Sequence, residues 1–175
     1  EKKGYFVYMN GIQSYNGVAI ISKTEAIKIN SHKFCNQNDA RHIQANFKNF
    51  SIHSIYVPAG GEKPDINENE KFDHKLRFLD EMATFFKFNK NQINVLCGDL
   101  NVAPNEDDVW SHKQLQNVVS HTKVEREKLI NIMNKGQFVD TTRMFLSPPE
   151  NVFTWWSYRS KDFKKNNRGR RLDHI

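Results

Sequence analysis

The chain has 175 residues, a formal net charge of +6, a pI near 9.3 and 38% hydrophobic residues. That is one domain's worth of protein with enough apolar material for a core, which excludes wholesale disorder. No run approaches the roughly 20 apolar residues that cross a bilayer, and Cys35 and Cys97, far apart, exclude a disulfide scaffold or a Cys-based zinc knuckle.

Residues 18–21 form an apolar run after the turn dipeptide Asn16-Gly17 and predict a strand. Ile43, Ala45 and Phe47 alternate with polar neighbours, as a strand with one buried face does. A further strand is expected over 51–57, ended by Pro58, Gly60 and Gly61. Phe72, Leu76, Leu79, Ala83 and Phe86 then line one helical face, with Asn67 or Asn69 as cap. Residues 93–97 read as a buried strand closed by Gly98. Thr122 and Glu125 have capping-box spacing, and the helix they start carries Leu129, Ile132 and Met133, with Gly136 as its C-terminal cap. Segments 138–141, 153–156 and 171–175 are expected as further strands. Strands and helices mix without strict alternation, which predicts two packed sheets with helices outside them, a layered α/β sandwich forming one domain over 1–175.

The charge is uneven. Residues 157–175 carry Arg159, Lys161, Lys164, Lys165, Arg168, Arg170 and Arg171 against Asp162 and Asp173, a local +5 that leaves +1 for the rest. Beside Trp155, Trp156 and Tyr158 these cations make the pairing of a nucleic-acid surface, where cations meet phosphates and rings meet bases or sugars. A solvated basic loop is the equal alternative on charge alone. The sharpest site is Gly98-Asp99-Leu100-Asn101. A strand delivering it to a sheet edge puts Asp99 and Asn101 on one side, offering hard oxygen ligands for Mg²⁺ or an acceptor and a donor around a phosphate. Taken alone, a turn capped by Asp and Asn explains the pair better. Tyr56 ends a strand that leads to the same edge, and Asp173 sits among arginines, an awkward place for a carboxylate without a partner. His174, adjacent, points to the opposite face of a strand and is not that partner.

Several blocks then occur in order: Tyr56-Val57-Pro58, Gly98-Asp99-Leu100-Asn101-Val102-Ala103-Pro104, Val139-Asp140-Thr141, Phe153-Thr154-Trp155-Trp156-Ser157-Tyr158-Arg159, and Asn167-Arg168-Gly169-Arg170-Arg171-Leu172-Asp173-His174-Ile175. With Asn16-Gly17-Val18-Ala19 and Asp108-Val109-Trp110-Ser111-His112, they resemble the bacterial exodeoxyribonuclease III group of the endonuclease/exonuclease/phosphatase superfamily, over nearly the whole chain. The resemblance implies a four-layered α/β sandwich of the DNase I-like kind. It also implies Mg²⁺-dependent hydrolysis (Mn²⁺ as a substitute) of DNA phosphodiesters at abasic sites and 3′ ends, by a monomer in a bacterial cytoplasm. By the same resemblance Asp99 orients or deprotonates the attacking water or holds a metal, and Asn101 holds phosphate oxygens and touches the metal shell. Tyr56 contacts the scissile phosphate, Asp173 orients a histidine, and Trp155 presses into the DNA with Trp156, Arg159 and Arg170 beside it.

The family domain runs to roughly 250 residues. Its metal-binding Glu and companion Asn would precede residue 1, and its Asp-His pair would follow residue 175. The expectation is therefore an internal stretch that, alone, lacks most Mg²⁺ affinity and catalytic power. Ala59 stands where relatives often carry an amide that bonds a phosphate. Two alternatives stand beside this reading: another phosphodiesterase of the superfamily, of sphingomyelinase or inositol phosphatase type, and a catalytically silent DNA-binding module. The tryptophan pair speaks against the former, and a carboxylate at Asp99, which opposes phosphate binding unless metallated, against the latter. His32, His42, His53 and His74 have no metal-ligand spacing and read as packing or surface residues. Cys97 reads as an inert core thiol, Ser120-His121 matches no nucleophile arrangement, and Trp110 suits packing as well as DNA contact.

Overall fold

The computed structural model describes residues 3–159 and 162–175, without the side chains of Phe163 and Lys164. Lys161, and Lys164 as a side chain, therefore lie outside the described residues. The strands are β1 (Phe6–Gly11), β2 (Gly17–Ser22), β3 (Lys28–Asn30), β4 (His42–Asn46), β5 (Ser51–Tyr56), β6 (Asn94–Asp99), β7 (Trp155–Trp156), β8 (Gly169–Arg170) and β9 (Asp173–His174). The helices are α1 (Glu70–Phe85), α2 (His112–Leu115), α3 (Lys123–Gly136), α4 (Thr141–Phe145) and α5 (Phe163–Asn166).

The main sheet has the order β3-β4-β5-β6-β9, antiparallel except for the parallel pair β5–β6 that α1 bridges. Period-two alternation gives it two apolar faces. On one, Ile55 and Val57 pack with Phe78, Leu79 and Met82 of α1 and Leu129 and Ile132 of α3. On the other, Ile43, Ala45 and Ile52 meet Tyr8, Val18 and Ile20 of the β1–β2 hairpin. Helices, sheet and a second, small sheet thus stack as the sandwich requires, and β7–β8 is a separate two-stranded ribbon. Among the described residues no helix is long and apolar enough to cross a membrane.

The caps follow the sequence with one exception. The Asn69 side chain accepts the N–H groups of Lys71 and Phe72 to start α1, and Thr122 with Glu125 forms the expected capping box of α3. The left-handed cap of α3 is Gln137 (φ 52°), while Gly136 is the last helical residue. Glycine is needed there for space, since a Cβ would lie 2.5 Å from the Phe138 ring. The strand expected at 138–141 is absent: Asp140 instead caps α4 by accepting the Arg143 N–H. β1 was not signalled, because its apolar residues do not alternate cleanly.

Buried polar groups are resolved pairwise. The His32 N–H donates to His42 Nδ1 (2.8 Å), which puts the His42 proton on Nε2, facing His53 Nδ1 (3.0 Å). His53 Nε2 then donates to Asn94 Oδ1 (3.1 Å). Burial, reinforced by the neighbouring His53 charge, holds His42 down to about 3, and burial holds His53 to about 4. These are neutral packing histidines, as expected. Burial raises the Cys97 thiol, in keeping with an inert core residue.

Candidate active site

β5, β6 and β9 lie side by side, and their register aligns Tyr56 with Asp99 and Asp99 with Asp173. Register partners on adjacent strands present their side chains to one face. A phenol and two carboxylates therefore form a row across one edge of the sheet. Gly98 makes the row possible: its φ is +134°, and a Cβ there would sit 2.0 Å from the Ile55 carbonyl oxygen. Only glycine lets β6 approach β5 at that point.

Burial, with the Asp173 carboxylate beside it, pushes Asp99 up to about 6, against the pull of the Asn101 N–H and Lys75. Neither Asp99 nor Asp173 joins an ion pair among the described residues. Two neighbouring acids with no cation in contact form a hard-oxygen pair of the kind that seats a partly hydrated Mg²⁺. The described residues contain no cluster of three His, Cys, Asp or Glu suited to a metal.

Asn101 departs from the expected geometry. β6 ends at Asp99, so strand alternation does not reach Asn101, whose backbone is left-handed (φ 51°). Its N–H donates to Asp99 Oδ1 (2.9 Å), and its amide Nδ2 donates to the Val57 carbonyl (2.9 Å). The turn reading of Asp-x-Asn is thus correct for the backbone, while the Asp99 carboxylate still faces the row. Asn101 lies beside that row, nearly buried, rather than in it.

Beneath the loop is a feature the sequence did not reveal. Lys75 is fully buried, and its Nζ donates to the carbonyls of Asn101 (2.8 Å) and Ala59 (3.3 Å) and to Glu125 Oε1 (2.5 Å). Glu125 in turn accepts from the Ser120 and Thr122 N–H groups. Burial lowers the Lys75 pKa, with Glu125 opposing. Lys75 lies on the buried face of α1, and only packing of α1 on α3 makes it the anchor of the Asp99–Asn101 loop.

The tryptophan segment joins the row through Thr154, whose Oγ1 accepts the N–H groups of Leu172 and Asp173 (both 3.0 Å). Trp155, next in sequence and 37% exposed, pairs with Arg170 across β7–β8. Trp156 is half-buried, donates Nε1–H to Asn167 Oδ1 (3.1 Å) and meets the Phe153 ring. Arg159 is exposed.

Two basic residues are not where a DNA-facing stripe would put them. Arg170 is half-buried, donating Nη1 to the Val119 carbonyl (3.0 Å) and Ser120 Oγ (2.8 Å), with its guanidinium 5.8 Å from the Trp155 ring centre. It supports Trp155 from behind. Arg171 is fully buried: Nε reaches Asp108 Oδ1 (2.7 Å), and Nη2 reaches Asp108 Oδ2 (3.1 Å) and Asp140 Oδ2 (2.6 Å). Arg171 lies between β8 and β9, outside both strands, and is drawn inward by Asp108 and Asp140, whereas Asp173 in β9 stays exposed, so a run of charges splits between core and rim. His174 faces inward as expected, with Nε2 donating to the Val102 carbonyl (2.8 Å), and among the described residues no histidine touches Asp173. Trp110 packs beside Ala103, Val109 and Leu115, with Arg168 over its ring (4.6 Å).

Residues 2–175 match the Endonuclease/Exonuclease/phosphatase family. The chain is 27% identical to an exodeoxyribonuclease of Bacillus subtilis over all of this chain and 69% of that protein. It is 31% identical to a DNA-(apurinic or apyrimidinic site) endonuclease of Dictyostelium discoideum, over 91% of this chain and 43% of that one. Among solved structures, an AP endonuclease from Archaeoglobus fulgidus superposes with a TM-score of 0.88 at 31% identity, covering 99% of this chain and 66% of that one. A Neisseria 3′ phosphatase bound to a product DNA hairpin gives 0.89 at 25%, with the same coverage. The α/β sandwich expected from the sequence is the fold these proteins share. The chain spans 69% and 43% of the length of the two curated relatives just named.

Proposed function

Since the chain belongs to the endonuclease/exonuclease/phosphatase family, we propose that it serves a DNA-repair nuclease that hydrolyses phosphodiesters at abasic sites and 3′ ends with Mg²⁺. The observation that carries this reading is the row of Tyr56, Asp99 and Asp173 on three adjacent strands. The relatives named for exodeoxyribonuclease and AP-site activity, and the neighbour bound to a DNA hairpin, support DNA as the substrate.

A phosphodiester resists attack because its negative charge repels nucleophiles, so a site must add positive charge, donors to the non-bridging oxygens and an aligned water. Asp99, at the end of β6 and facing the row, is placed to align a water and accept its proton. Tyr56 directs its hydroxyl to a phosphate oxygen, and the Asn101 loop, held by Lys75, fixes Asp99. Asp99 and Asp173, with Asn101 beside them, would hold Mg²⁺, or Mn²⁺ in its place, which supplies charge neutralisation at the phosphate. Trp155 wedges where a base is missing, since unstacking costs least there, and exposed Arg159 meets the backbone. The protein acts as a monomer in the compartment that holds the DNA.

The test uses the full natural protein on duplexes carrying one abasic site or a 3′ phosphate, with and without Mg²⁺. Cleavage should require the cation, and Asp99→Asn should slow it by roughly 100-fold or more. A variant that cuts at the parent rate removes Asp99, and with it this reading.

A further inference from the structure

Tyr56 is held on one side by a residue to which the sequence assigns no role. The Arg41 carbonyl accepts the Tyr56 N–H (2.9 Å), and Arg41 Nη1 donates to the Tyr56 carbonyl (3.2 Å). The guanidinium also lies over the Tyr56 ring, 4.7 Å from its centre. A planar cation at that distance attracts the ring face and restricts its rotation. Among the described residues the Tyr56 hydroxyl takes no hydrogen bond, so the ring's orientation rests on packing and on Arg41.

Arg41 is itself fixed. Its Nε bonds Asp39 Oδ2 at 2.6 Å, with the two side chains 10% and 15% exposed. Ala40 between them is left-handed (φ 52°), a conformation that is strained for a residue with a β-carbon and persists only where neighbours hold it. The Asp39 carbonyl accepts Asn16 Nδ2 (3.1 Å) from the loop joining β1 and β2, where Asn16 is nearly buried. A chain of contacts thus runs from the hairpin loop through Asp39 and Arg41 to the phenol.

We propose that Arg41, braced by Asp39, is a positioning residue that sets the angle at which the Tyr56 hydroxyl meets the phosphate. This rests on the phosphate-binding reading of Tyr56. Lysine keeps the charge of Arg41 but not its flat fork, so Arg41→Lys isolates the geometric part. In the nuclease assay on the abasic duplex, Arg41→Lys is expected to lower kcat roughly ten-fold while KM stays within about two-fold, as misplacement of a reacting-site group does. Combined with Tyr56→Phe it should do no further harm, because its effect passes through that hydroxyl. Losses that multiply, or a wild-type kcat in Arg41→Lys beside an impaired Tyr56→Phe, overturn the inference alone. A wild-type kcat in Tyr56→Phe overturns the reading of Tyr56 and the inference with it. A second measurement does not depend on activity: in protein labelled with 3-fluorotyrosine, Arg41→Lys should shift or split the ¹⁹F line that Tyr56→Phe deletes and leave the other tyrosines unmoved. An unmoved Tyr56 line overturns the proposal.

Discussion

Asp99 and Asp140 are the same residue type in one small fold, and their surroundings treat the carboxylate in opposite ways. At the rim, Asp99 faces Asp173, has no cation in contact and titrates near 6. In the clamp, Asp140 is also opposed by burial, but the Arg171 guanidinium and the Arg143 N–H outweigh that cost and hold it below its ordinary value. Asp108 shares both Arg171 and Arg143, completing a network of two acids and two arginines. The clamp satisfies its charges and ties together segments 105–111, 140–143 and 169–172; the rim leaves its charges available. A buried ion pair holds structure when closed, whereas a site that binds a cation or a phosphate has to stay electrostatically open.

That contrast is easiest to break from the clamp side. Arg171→Leu leaves Asp108 and Asp140 buried without their main partner and should cost about 3–5 kcal/mol in urea unfolding. A loss below about 1 kcal/mol would mean that Arg143 alone suffices. Trp155→Ala should weaken binding of an abasic duplex roughly ten-fold, read by fluorescence anisotropy at fixed salt, since stacking is worth about 1–3 kcal/mol per base. An unchanged affinity takes Trp155 out of the interface. The smallest effect sharpens the comparison most. The Asp99 pKa is raised from 3.8 to about 6 in the fold, so its contribution to stability is present below pH 4 and lost as pH rises through 6. Asn cannot ionise, so Asp99→Asn should be more stable than the parent at pH 7 by about 1 kcal/mol after solvent screening. The gap should close below pH 4. A variant less stable at pH 7 would show that the carboxylate is supported rather than exposed to repulsion.

The blocks that carried the family resemblance are explained differently by the two regions. Tyr56, Asp99 and Asp173 face the rim, but Asp108, Asp140 and Arg171, from three of the same blocks, build the clamp behind it. Part of the motif content is therefore scaffold. In the sequence Arg170 and Arg171 look like DNA-facing charges, because a charge run looks solvated until the partners that bury it are known.

What the sequence determined by itself was local. The apolar spacing of α1, the caps Asn69 and Thr122, the alternation of β4 and β5, and the Gly98-Asp99 strand end follow from interactions between residues a few positions apart. The tertiary structure alone decided which side chains share the rim, that Lys75 anchors the Asn101 loop, that Arg41 lies over Tyr56, and that Arg171 turns inward. These depend on strand register and on charges meeting across segments distant in the chain. Register is set by nonlocal pairing, and a buried charge is tolerable only where another segment supplies its counterpart.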